Sequence, residues 1–224
     1  MLQNRSFIME VNEEELKLVI DRRVTEHIQE LLFPKLKIYV FPGGKKPERA
    51  TDGAVGFDFF LRAVVSPFEM DSDQPILRRT IFNFKDVPKN NPVVDGHMIN
   101  YPTEKGNELA YRLDPGESIL VGVGCTIEMP FPMFHWVAPR SGLASKWRIT
   151  VTNAPGTVDP DYRGEAGVLL LNINSSPIPL TKDMKIAQAI FQMAIIPELV
   201  EVYSHEELTK TRRGVGGFGS TGIR

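Results

Sequence analysis

The densest concentration of reactive side chains lies between Asn153 and Gly167, in the run Asn-Ala-Pro-Gly-Thr-Val-Asp-Pro-Asp-Tyr-Arg-Gly-Glu-Ala-Gly. Asp159, Asp161, Tyr162, Arg163 and Glu165 form an acid, aromatic and base cluster with turn formers around it. This pattern predicts a hairpin with polar groups at its tip. Two readings stand: ordinary turn chemistry, or a set that orients water and a polar substrate. A second patch, Pro139-Arg140-Ser141-Gly142-Leu143-Ala144, places a guanidinium fork and a hydroxyl at a strand-to-turn junction. Arg140 there suits bidentate contact with phosphate or a structural salt bridge. The third patch is the glycine-rich end. Five of the eleven residues from Gly214 to Arg224 are glycine, interleaved with Phe218, Ser220 and Thr221 and preceded by Arg212 and Arg213. Backbone N–H groups, hydroxyls and guanidinium in so short a span suit a phosphate chain. A flexible solvated arm is the alternative.

Spacing argues against several other chemistries. Gly214, Gly216 and Gly219 match G-x-G-x-x-G, but a dinucleotide fold needs a helix after the last glycine and only five residues follow. Gly43-Gly44-Lys45-Lys46 lacks the spacing of a Walker phosphate loop. His27, His97, His135 and His205 have no ligand-like spacing. The single cysteine, Cys125, sits in the run from Val121 to Ile127 and reads as a small buried core residue.

The elements that must position these patches are mainly strands. Short β-type runs divided by glycine and proline occur at 36–41, 56–63, 118–128, 147–152, 167–173 and 186–196, and several are apolar on both faces. With 17 prolines, 18 glycines and no repeated helix between strands, the expectation is an antiparallel sandwich or jelly roll. One helix precedes it. Asn12 and Glu15 fit a capping box, and Leu16, Val19, Ile20, Val24, Ile28, Leu31 and Leu32 recur at spacings of three and four until Pro34. Such a stripe must be buried, against its own domain or against another subunit. Residues 67–107, with Pro67, Pro75, Pro88, Pro92 and Pro102, read as an inserted loop. The expected division is a helical extension over 1–34, a β domain over 35–212 and an arm over 213–224.

Composition sets the outer limits. A chain of 224 residues with 42% hydrophobic and 24% charged residues is globular, not disordered. Its 26 Lys and Arg against 28 Asp and Glu give no global attraction to nucleic acid or anionic membrane. A lone cysteine excludes an intrachain disulfide and favours a reducing compartment. No apolar run has the length of a membrane span and the first residues lack a signal-peptide core, so a cytoplasmic location is expected.

These patches, in this order, resemble the five motifs of the homotrimeric dUTP diphosphatases, the dUTPase family. The first motif resembles Ala50-Thr51 through Gly56-Phe57-Asp58, the second is Pro139 to Ala144, and the third is Asn153 to Gly167. The fourth resembles Lys185-Ile186-Ala187-Gln188, and the fifth runs from Arg213 through Phe218, Ser220 and Thr221 to Gly222. The resemblance implies a jelly-roll subunit that trimerises with shared active sites and hydrolyses dUTP to dUMP and pyrophosphate, limiting uracil incorporation into DNA. By the same resemblance Asp159 activates the water that attacks the α-phosphorus, and carboxylates as a class are ionised at neutral pH. Tyr162 packs under the deoxyribose, Asn153 with the backbone at Gly156 and Gly167 reads uracil, and Phe218 covers the base. Arg140, Ser141, Gly142, Gln188, Arg213, Ser220 and Thr221 hold phosphates. Mg²⁺ is implied as the cofactor, held by substrate phosphates and water with no direct protein ligand, and Asp58 lies one layer behind that water.

The chain departs from the family pattern at Asp183-Met184-Lys185, where Gly-Asp-Arg is usual, and at Phe57, where tyrosine is usual. The helix and the 67–107 stretch have no counterpart in the minimal pattern, and the latter is a possible site for a protein partner. The dCTP deaminases resemble the third motif too, but their proton-shuttling glutamate falls at Leu169 here, which transfers no proton.

Overall fold

The computed structural model describes residues 13–85, 96–104 and 106–217. The chain divides into two compact units, Met1–Met193 and Ala194–Arg224, a division ahead of the one expected after 212. Among the described residues the first unit holds helix α1 (Glu13–Leu32), then fifteen strands and a short helix. The strands are β1 (Lys37–Val40), β2 (Glu48–Arg49), β3 (Phe57–Phe60), β4 (Ala63–Met70), β5 (Arg78–Phe82), β6 (Met98–Thr103), β7 (Gly106–Leu113), β8 (Ser118–Gly122), β9 (Cys125–Glu128), β10 (Met133–Ala138), β11 (Ile149–Val151), β12 (Gly156–Val158), β13 (Gly167–Asn172), β14 (Ile178–Thr181) and β15 (Lys185–Met193). Helix α2 (Ser141–Trp147) separates β10 from β11.

Two five-stranded sheets carry the fold, one ordered β12-β10-β15-β3-β2 and the other β11-β13-β8-β4-β5. A three-stranded sheet β14-β7-β6 and the pair β1-β9 complete it. Every pairing among the described strands is antiparallel. Neighbours in space are mostly distant in sequence, as in a jelly roll. The alternation along β13 shows how sequence sets this arrangement: Val168 and Leu170 point into the core while Gly167 and Leu169 lie half-buried on the other side. Both large sheets and the three-stranded one feed a single hydrophobic cluster. Phe59, Val137 and Ile186 come from the first, Val64, Val121 and Leu170 from the second, and Leu113 and Leu180 from the third. Each such side chain removed from water contributes roughly 1.5–3 kcal/mol.

Residues 67–107 correct the loop expectation wherever they are described. They hold the outer half of β4, all of β5 and β6 and the start of β7, and Leu77, Phe82 and Phe84 are buried. Prolines disguised these strands. Pro102 lies on β6, an edge strand where a missing N–H is tolerated, and Pro67 lies where the β4–β5 register is irregular. The expected capping pair lies outside the description, since Asn12 and the Glu15 side chain are not described. The apolar stripe of α1 is not buried by its own unit: Val19, Ile20, Val24 and Ile28 are each about half exposed, and Leu32 more so. No helix among the described residues is long and apolar enough to cross a membrane.

Candidate active site

The first cluster forms where β3, β15 and β10 run side by side. Register places Asp58 opposite Gln188, and Gln188 opposite Ala138, so one row crosses all three strands. Just past β10, Arg140 turns its guanidinium onto Asp58, with Nε 2.8 Å from Oδ1 and Nη2 3.4 Å from Oδ2. Its Nη1 donates to the carbonyl of Lys185 at 3.2 Å. Lys185 Nζ stands 3.0 Å from the second oxygen of Asp58 and 3.5 Å from Glu48. Asp58 is only 5% exposed, and a carboxylate removed from water must be paired; here two cations share it. The hydrogen bond to Asp58 holds the Lys185 pKa above its ordinary value. Lys185 therefore stays charged where the family pattern has arginine. Gln188 donates from Nε2 to the Pro139 carbonyl at 3.0 Å. Its Oε1 lies so close to Gly56 that a Cβ there would come within 2.1 Å, so a larger residue at that position would displace the Gln188 amide.

Of the two readings of Arg140, the described contacts supply the salt bridge. The side chain remains 29% exposed and commits three of its five N–H groups to described residues. Ser141 and Gly142 follow, exposed, in the first turn of α2. The expected strand-to-turn junction is thus a strand-to-helix junction.

The stretch from Asn153 to Gly167 is not a simple hairpin. β12 pairs with β10 in one five-stranded sheet, whereas β13 pairs with β11 and β8 in the other. The polar cluster bridges the two sheets. Turn formers report that a chain reverses, but pairing partners are set by the sheets, which explains the discrepancy. Asn153 is exposed in the turn before β12, and Gly156 is buried with room for a Cβ only 3.1 Å from Asn153 Nδ2. Asp159 is exposed at the end of β12, and its carbonyl accepts from the N–H of Tyr162 at 3.2 Å. The Tyr162 ring folds back over Gly164, where a Cβ would lie 2.5 Å from the hydroxyl, and that hydroxyl donates to the Glu165 carbonyl at 2.9 Å. Gly167, half-buried, opens β13.

One charged residue at this place, Arg62, carries no signal in the sequence, and it pairs with Glu165 of the polar cluster. Glu165 is buried and its carboxylate receives Arg62 at 2.6 and 2.8 Å and the N–H of Gly124 at 2.8 Å. Nothing in the run Phe59-Phe60-Leu61-Arg62 signals a partner a hundred positions away. Removing one member of such a pair costs ~3–5 kcal/mol. Elsewhere His97, Asp114 and Glu117 approach one another closely enough to hold a metal. Their groups are already engaged: His97 Nδ1 with the Arg112 carbonyl, Asp114 with Arg112, and Glu117 with the Tyr111 hydroxyl and the Asp114 N–H. Burial, then the Glu117 hydrogen bond, raises the Tyr111 pKa, so its hydroxyl remains a donor. Cys125 is fully buried and its pKa is pushed up to about 12, chiefly by burial, which leaves it a core residue without nucleophilic character.

In the second unit Arg213 is exposed and donates from Nε to the Gly216 carbonyl at 2.8 Å, and Gly214 takes the left-handed conformation, φ +53°. Phe218, Ser220 and Thr221 lie outside the described residues.

Comparison with known proteins assigns the family and the class of fold. The family model described as dUTPase matches residues 108–222, just over half of the chain. The deoxyuridine 5'-triphosphate nucleotidohydrolase of Nautilia profundicola is 48% identical over 110 residues, covering 49% of this chain and 75% of that protein. The protein of the same description from Gloeothece citriformis is 50% identical over 112 residues, covering 50% of this chain and 75% of that protein. Among solved structures, the dUTPase of Staphylococcus bacteriophage 80alpha with dUPNHPP matches with a TM-score of 0.59 at 17% identity, over 85% of this chain and 99% of that one. A mutant dUTPase of the S. aureus phage phi11, whose structure describes a structural Mg(II) ion, matches with a TM-score of 0.52 at 15% identity, over 77% of this chain and 99% of that one. The chain belongs to the dUTPase family.

Proposed function

We propose that this protein hydrolyses dUTP to dUMP and pyrophosphate in a magnesium-dependent reaction, limiting uracil incorporation into DNA. By family it is a dUTP diphosphatase. The observation that carries the residue-level reading is the sheet-bridging segment, which presents Asn153, Gly156, Asp159 and Tyr162 on one short, doubly anchored stretch. Asp159 takes a proton from water as the water oxygen bonds to the α-phosphorus. The bond from that phosphorus to the bridging oxygen breaks, and pyrophosphate leaves. An exposed carboxylate at the end of a strand whose carbonyl is already tied down suits that task. Phosphoryl transfer needs positioning and charge neutralisation more than covalent help.

Base and sugar selection follow from the same segment. Asn153 with the main chain at Gly156 and Gly167 would read the uracil edge. A thymine methyl has no room in so tight a turn, and cytosine would leave buried groups unpaired. The Tyr162 ring would lie under a deoxyribose and collide with a 2′-hydroxyl. Arg140, Ser141, Gly142 and Gln188, with Arg213, Ser220 and Thr221 from the arm, would hold the phosphates, and Phe218 would cover the base. Both oxygens of Asp58 are taken by Arg140 and Lys185, and the phosphate-holding side chains are cationic or neutral. These residues fit a Mg²⁺ ion held by the nucleotide's own phosphates and water, where it neutralises charge on the triphosphate. A homotrimer with shared sites is part of the same proposal.

The test is pyrophosphate release from dUTP, dCTP, dTTP and UTP in parallel, with ammonia recorded, for the protein and for Asp159→Asn. Pyrophosphate from dUTP alone is expected, and the variant should bind dUTP within a few-fold while turning over ~10²–10⁴ more slowly. Ammonia from dCTP, or full turnover by the variant, would overturn the reading.

A further inference from the structure

Tyr162 can select a sugar only if its ring is held still, and the structure shows what holds it. The ring lies across Gly164, and its hydroxyl donates to the main-chain carbonyl of Glu165 at 2.9 Å. The position of that carbonyl is fixed from three directions. The Glu165 N–H donates to the carbonyl of Ile76 at 3.1 Å, in the turn that joins β4 to β5. The carboxylate is clamped by both arms of Arg62 and by the N–H of Gly124. Oε1, the oxygen that accepts from Arg62 Nε and from Gly124, also lies against Gly122, where a Cβ would come within 2.3 Å of it. Arg62 itself reaches Thr80 of β5 at 3.3 Å. The side chains of Glu165 and Arg62 are 0% and 10% exposed, so the clamp is dry and electrostatically strong.

We infer that Glu165 is a positioning residue for sugar selection: it fixes the Tyr162 ring over Gly164 and ties that ring, through Arg62 and Ile76, to the β4–β5 strand pair. The inference rests on the proposed placement of deoxyribose on Tyr162. It gives part of the 67–107 stretch a role in specificity. Ile76 supplies a carbonyl and Thr80 a hydroxyl to the network that supports the ring. A displacement of about an ångström at such a contact is enough to change transition-state fit by ~10²-fold, so a loosened ring admits a ribose without abolishing attack on the phosphorus.

The experiment compares wild type, Glu165→Gln and Tyr162→Phe in kcat/KM for dUTP and for UTP, with fluorine NMR of fluorotyrosine-labelled protein as a readout that needs no turnover. The Tyr162→Phe spectrum identifies the Tyr162 signal among those of the five tyrosines. In Glu165→Gln that signal should shift or broaden, and the preference for dUTP over UTP should fall roughly 10- to 100-fold, with kcat for dUTP changed far less. Should the buried Arg62 left unpaired prevent Glu165→Gln from folding, Tyr162→Phe alone decides. It removes only the hydroxyl's bond to Glu165 and should lower the preference in the same direction. A lower melting temperature with an unchanged preference in the folded variants would reduce Glu165 to a structural residue and overturn the inference. Wild-type protein that shows no preference for dUTP would instead defeat the underlying functional reading, whatever the variants do.

Discussion

His135 shows how a single buried residue sets a condition for the whole fold. It lies on β10 with 1% exposure, its ring 5.8 Å from Phe59 and 5.5 Å from Phe191, and neither ring nitrogen has a hydrogen-bond partner. Burial therefore pulls its pKa down from 6.5 to about 4. Between pH 6.5 and about 4 the unfolded chain binds a proton at this residue while the folded chain does not. The stabilising contribution is thus complete above pH 6.5 and drains away as pH falls toward 4. It amounts to roughly 3 kcal/mol when fully expressed. His135→Leu, close in volume and without a titrating group, should flatten the dependence of denaturation midpoint on pH across that window. Parallel slopes for both proteins would show that the loss at low pH comes from other groups. Asp58 presents the opposite case at the same scale. Burial next to Arg140 and Lys185 keeps it paired, and a sequence can place three such residues in three motifs without revealing that they meet.

Among the elements, α2 ends against local preference. Its C-cap residue is Arg148, with φ 56° and ψ 35°, and its N–H bonds back to the Leu143 carbonyl. A left-handed conformation costs a residue bearing a Cβ ~1–2 kcal/mol, whereas glycine adopts it freely at helix ends. Arg148→Gly should raise stability by ~0.5–1 kcal/mol, with the greater freedom of glycine in the unfolded chain offsetting part of the gain. Equilibrium denaturation measures this, and an unchanged or lower midpoint would show that the arginine side chain stabilises this turn. Asp183 occupies the same region, φ 65°, where the family pattern places glycine, and its carboxylate pairs with Lys45 at 3.1 Å. The strands were legible where apolar runs are continuous, as at β1, β3, β8, β13 and β15. They were hidden where proline sits on an edge, as at Pro102 in β6 and Pro179 in β14. Deleting 67–107 to test for a partner would remove Phe82 and Phe84 from the core, so such a test is confounded by unfolding.

For the whole molecule, two surfaces bear on assembly. The α1 stripe is exposed along its described length, and the second unit carries Ile195, Leu199, Val200 and Tyr203, each more than three-quarters exposed. Exposed apolar surface of this kind is what neighbouring chains would cover in the proposed trimer. The arm serves catalysis in the proposed function, so its removal should separate two properties. Protein lacking Gly214–Arg224 should sediment as the full-length chain does, while kcat/KM for dUTP falls by ~10²-fold or more, as expected when preorganised phosphate contacts are lost. Full activity without the arm would remove Phe218, Ser220 and Thr221 from the phosphate and base contacts, while Arg213, which lies ahead of the deletion, is tested by its own substitution.

The sequence by itself determined the mainly β class, the order of the motifs and the residue types available for chemistry. Alternation, turn formers and motif spacing are local properties and survive in one dimension. Only the tertiary structure decided that Asn153–Gly167 spans two sheets, that Arg140 and Lys185 converge on Asp58, and that Arg62 clamps Glu165 behind Tyr162. Each of these depends on which distant strand lies alongside, and in an antiparallel fold with non-consecutive neighbours that choice is made by the shared core, not by any stretch of chain near the residues concerned.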